Sequence, residues 1–127
     1  MSNVYGSYGL QQSDLIVTIG ASLIFDIDCL DERGRAIDLT GYEPTMVVQT
    51  TRETLDWTEY VSVEVGKIHV HVPHKVTKDV IYPGNRTTKF QHGTWDLSLK
   101  TGTEDVLRVV YGRVEVADTN SSKAVTE

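Results

Sequence analysis

The stretch Tyr60-Val61-Ser62-Val63-Glu64-Val65-Gly66-Lys67-Ile68-His69-Val70-His71-Val72 decides the fold. Apolar residues recur at every second position, the period of a strand with one dry and one wet face. Two such runs flank Gly66-Lys67. A glycine at the first central position of a two-residue turn predicts a type II′ hairpin. Ile68, Val70 and Val72 are expected to face a core, with Lys67, His69 and His71 facing away.

The same alternation extends in both directions. Leu15, Val17 and Ile19 share one face of a first segment. Leu23, Phe25, Ile27 and Cys29 share one face of a second, with Asp26 and Asp28 opposite. The polar cluster Asp31-Glu32-Arg33-Gly34-Arg35 predicts a turn. Ala36 to Leu39 and Pro44 to Thr50 continue the strand pattern, and Thr51 to Thr58 is expected to be a loop. Pro73 ends the hairpin, and His74 to Ile81 is the one expected helix, of two turns. Trp95, Leu97 and Leu99 alternate with Thr94, Asp96 and Ser98. Leu107, Val109 and Tyr111 alternate with Val106, Arg108 and Val110, and Gly112 interrupts one bent strand that Val114 and Val116 complete.

Short strands with turn signals about every ten residues predict an all-β fold. The expected architecture is a single β-sandwich, immunoglobulin-like or jelly-roll-like, with one short helix and extended terminal arms. Residues 14–117 form the sandwich in this reading. Residues 1–13 form an N-terminal arm and 118–127 a flexible tail.

At 127 residues the chain has the length of one domain, enough to bury a core without metals or disulfides. Twelve basic against eighteen acidic residues give a net charge of −6. This argues against nucleic acid and anionic membranes as partners, since phosphate neutralisation needs clustered Lys and Arg. No apolar run approaches the roughly 20 residues of a spanning helix. Met1 to Gln12 has no basic residue and no apolar stretch, so no secretory signal is expected. A single cysteine, Cys29, excludes an internal disulfide framework. Its phase with Phe25 and Ile27 predicts a small buried side chain and not a nucleophile.

Candidate chemistry is sparse. His69 and His71 at i and i+2 point the same way on a strand, so with His74 and His92 they are the metal candidates. Asp26, Asp28, Asp31 and Glu32 crowd one face and its turn but match no calcium-loop pattern. No nucleophile elbow and no phosphate loop is present, so no enzyme and no cofactor is expected. Asn85-Arg86-Thr87 is a glycosylation-type triplet that carries little meaning without a signal peptide. Trp57, Tyr60, Tyr82, Arg86 and Phe90 are the candidate protein contacts. Trp57, set in a polar stretch, is the foremost, and with its neighbouring aromatics it would also suit a sugar platform. Trp95, in phase with Leu97 and Leu99, is expected in the core.

Three motifs carry a resemblance. They are Ile37-Asp38-Leu39-Thr40-Gly41-Tyr42 before a strand, Gly93-Thr94-Trp95-Asp96-Leu97-Ser98-Leu99, and the final run from Val106 through Gly112-Arg113-Val114-Glu115-Val116. In this order they resemble small β-sandwich virion proteins of tailed bacteriophages, such as the N-terminal domain of baseplate upper proteins and fibre-attachment proteins. The likeness spans most of Leu15 to Ala117. The Pro83 to His92 loop is longer than the tight turn usual before the Gly-aromatic strand. The resemblance implies a non-enzymatic virion component, assembled in the host bacterial cytoplasm. Its expected partners are other virion proteins and copies of itself in a symmetric assembly. A capsid decoration protein, a carbohydrate-binding module and a hydrolase accessory domain with a metal at His69 and His71 are the alternatives.

Overall fold

A computed structural model describes residues 11–84, 92–100 and 106–118. The strands are β1 (Gln11–Gln12), β2 (Leu15–Thr18), β3 (Leu23–Asp28), β4 (Glu43–Thr50), β5 (Thr54–Asp56), β6 (Val61–Glu64), β7 (Lys67–Val72), β8 (Gly93–Lys100) and β9 (Val106–Ala117). A 3-10 turn covers Thr58–Tyr60, and a single helical turn, α1, covers His74–Thr77.

The strands form two sheets. The larger has the order β1-β9-β8-β4-β5, with β2 also on β9, and the smaller has the order β3-β7-β6. The fold is therefore all-β. A three-stranded sheet lies against a sheet whose middle is the eighth strand, and the first strands join the last. This is the order of an immunoglobulin-like sandwich.

Alternation builds the core. Ile27 and Cys29 from the second predicted segment, Ile68, Val70 and Val72 from β7, and Trp95, Leu97 and Leu99 from β8 are all buried in one apolar cluster. Phe25 of the small sheet meets Trp95 of the large sheet edge to face, with ring centroids 5.9 Å apart. Burial pushes the Cys29 thiol up to about 11, with the Asp28 carboxylate adding to the effect. It is an inert apolar filler, as its phase predicts.

Several boundaries differ from the sequence reading. The hairpin register pairs Glu64 with Lys67. The turn residues are therefore Val65 and Gly66, and the glycine takes the second position, with φ of 81°. Lys67 belongs to the strand. Ala36 to Leu39 is not a strand. It makes one isolated bridge, Leu30 to Ala36, because Asp38 instead folds back on Thr40. Part of Thr51 to Thr58 is a strand, since Thr54–Asp56 pairs with β4. The helix has one turn where two are expected. So short a helix does not persist on its own. It is fixed by the Thr77 hydroxyl, which donates to Ala21 O at 2.8 Å. Of the expected N-terminal arm, residues 1–10 lie outside the described residues, and Gln11 and Gln12 pair with Val110 and Tyr111 of β9.

A bulge sets the face presented by β9. Leu97 pairs with Val110 but Ser98 pairs with Arg108, leaving Val109 as the extra residue. The phase inverts there. Val109 and Val110 are both buried, and Tyr111 faces outward instead of sharing a face with Val109.

Candidate interaction surfaces

The first motif lies in the connection from β3 of the small sheet to β4 of the large one, and the other two lie within the large sheet. Asp38 Oδ1 accepts the Thr40 hydroxyl at 2.7 Å and its N–H at 3.0 Å. These two bonds, hydroxyl first, hold the Asp38 carboxyl below the usual range. The turn buries Leu39, and Gly41, with φ of 90°, leads into β4. Gly93 and Gly112 each face a neighbouring backbone. A Cβ on Gly93 would lie 2.0 Å from Gln49 O, and one on Gly112 would lie 1.9 Å from Ser13 O.

Gly112 marks where the N-terminal strand is fastened. β1 and β2 run parallel to β9, with Gln11 opposite Val110 and Thr18 opposite Ala117. Ser13 and Asp14 interrupt that pairing. There the Trp95 indole N–H donates to Ser13 O at 2.8 Å, and Ser13 N–H donates to Tyr111 O at 2.8 Å. Asp14 accepts the backbone N–H of Arg113 at 3.2 Å and its guanidinium at 3.3 Å. Because the pairing is parallel, Gln11 and Ala117 lie at opposite ends of the paired segment. From Gln11 to Thr18 the strand advances about 23 Å at the usual rise.

Among the described residues, no strand pairs with the free sides of β2, β3, β5 or β6. Ile16 on β2 and Ile24 on β3 are exposed, as are Val106 and Leu107 at the start of β9. Such edges are templates for pairing with another chain unless a neighbour covers them.

The predicted contact residues separate. Trp57 is only 3% exposed. It is a core residue and neither a protein contact nor a sugar platform. It is drawn in because the chain crosses there from β5 in the large sheet to β6 in the small one. Its N–H donates to Met46 O at 2.9 Å. Tyr60 follows in the same crossing, partly buried against the core. Tyr82 is partly buried beyond α1, edge-on to His92 at 5.8 Å. Arg86 and Phe90 lie outside the described residues.

The histidines also separate. His69 and His71 do share the outer face of the small sheet, but His74 opens α1 and His92 precedes β8. His92 is buried, and its Nδ1 accepts Val116 N–H at 2.9 Å. Among the described residues no group of three or more His, Cys, Asp or Glu side chains is arranged to hold a metal. The acidic cluster is likewise divided. Asp28 faces Lys67 at 3.6 Å, and Asp31 faces Arg35 at 2.9 Å.

Asp26 faces His69, and here sequence reasoning missed a pairing. His69 Nδ1 lies 2.8 Å from Asp26 Oδ1 on β3, and its Nε2 contacts Glu64 on β6. A neutral imidazole has one N–H, so both contacts are hydrogen bonds only in the imidazolium. The Glu64 carboxylate foremost, then Asp26, raises the His69 pKa above its ordinary 6.5. A raised folded value gives stability that is complete below the unfolded pKa and lost as pH climbs through the folded one. Denaturant unfolding at about pH 6 and about pH 9 checks this. The wild type loses a contribution over that interval that His69→Gln lacks. Equal losses in both proteins would refute the clamp.

Comparison with protein-family models and with curated proteins finds no match to this chain.

Proposed function

We propose that this protein is a structural component of a tailed-bacteriophage virion, a connector at a tail, baseplate or fibre junction that works by protein–protein contacts. The observation that carries the reading is the parallel pairing of β1 and β2 with β9. It sets the start of β1 and the end of β9 about 23 Å apart along one edge of the sandwich, two separate points at which neighbours can be joined. Strand edges unpaired among the described residues, with exposed Ile16 and Ile24, supply lateral surfaces for copies of itself or for other virion proteins. The three motifs of the resemblance also support the reading, because each does structural work here: a turn that plugs the core and two glycines at close backbone approaches.

Quantitative mass spectrometry of purified particles tests it. About six to eighteen copies per particle are expected at a junction of cyclic symmetry. Copies in the hundreds would favour a coat or decoration protein instead, by the same symmetry argument. Absence from particles would refute the virion reading.

A further inference from the structure

The outer face of the large sheet carries a shallow, open trough of about 450 Å³. It runs along β8 between two walls. Val47 and Gln49 of β4 form one wall, and Tyr111 of β9 forms the other. Thr94 and Asp96 line the floor, and Arg108 stands at the trough as well. The β9 bulge creates this arrangement, since it is the phase inversion at Val109 that turns Tyr111 outward. Gly112, next in the chain, adds no side chain to the trough.

We infer that this trough is a binding site for a neutral saccharide. Asp96 and Arg108 face each other at 3.7 Å. The pair carries no net charge yet leaves both groups with hydrogen-bonding capacity, since a guanidinium has five donors and a carboxylate about four acceptor sites. A paired lining offers no net attraction to an anion or a cation. It does fit a vicinal diol, whose one hydroxyl donates to Asp96 while its neighbour accepts from Arg108. The Gln49 amide and Thr94 hydroxyl each both donate and accept, again matching hydroxyl groups. The Tyr111 ring, partly buried, supplies the apolar surface on which the C–H face of a sugar ring packs. All these side chains stand on paired strands, so their backbone positions are fixed before the ligand arrives.

The site is independent of the virion reading, and so is its test. The full chain is screened on an array of neutral and acidic oligosaccharides, and hits are titrated by amide chemical-shift mapping. At least one neutral oligosaccharide is expected to bind, shifting Val47, Thr94, Asp96 and Tyr111. Tyr111→Ala and Asp96→Asn, each verified as folded by circular dichroism, should weaken that binding at least about tenfold, the loss of one good contact. No binding to any neutral glycan, selective binding of acidic glycans, or binding unchanged in both variants would overturn the assignment.

Discussion

Trp57→Ala is expected to lower the unfolding free energy by about 4 kcal/mol, the usual cost of emptying a buried tryptophan site. The side chain is almost fully buried, while the backbone N–H bond to Met46 O that anchors the crossing from β5 to β6 is kept by alanine, so the loss is that of the ring alone. The cavity would open in the apolar core shared by the two sheets, where the backbone is already fixed by pairing. A surface contact residue behaves differently, because its removal changes stability by less than about 0.5 kcal/mol. Urea unfolding of the two proteins separates these outcomes. A midpoint unchanged within error would return Trp57 to the surface and contradict the crossing described above.

Gly112→Ala is the second large effect, and its origin is opposite. It adds one carbon where no room exists. The new Cβ would meet Ser13 O at 1.9 Å and Ser13 C at 2.6 Å, both backbone atoms. Relief requires the N-terminal strand to move off β9, which stretches the Trp95 bond to Ser13 and the Asp14 contacts with Arg113. Overpacking of this kind costs about 3 kcal/mol. For a domain of this size that lowers the melting temperature by about 10 °C. A thermal melt within about 2 °C of the parent would mean that Ser13 yields freely and that the fastening is slack.

The two tryptophans explain what was legible in the sequence. Trp95 lies in strict alternation with Leu97 and Leu99, and its burial follows from period alone. Trp57 lies in a polar stretch without period. Its burial comes from the chain changing sheets, an event that local pattern does not encode. Alternation likewise places Ile68, Val70 and Val72 inward and His69 outward, but the partners of His69 depend on register. Asp26 is 43 residues away in sequence and becomes its neighbour only once β3 is aligned on β7. The bulge was hidden for another reason. Val106 to Val110 is apolar in both phases except at Arg108, so a slipped residue leaves no mark on the hydrophobic pattern. Tyr111, and with it the trough, could not be assigned to a face before the bulge was known.

The parallel edge formed by β1, β2 and β9 also has a mechanical consequence. Tension applied through the two ends of the domain acts along these strands, in opposite directions. It loads the backbone bonds from Gln11 to Thr18 in shear, so that they bear the force together. A hairpin pulled at its open end surrenders its bonds one at a time. The Ser13–Trp95 bond and the Asp14–Arg113 pair lie in the middle of the loaded segment, where they act as a rivet against sliding.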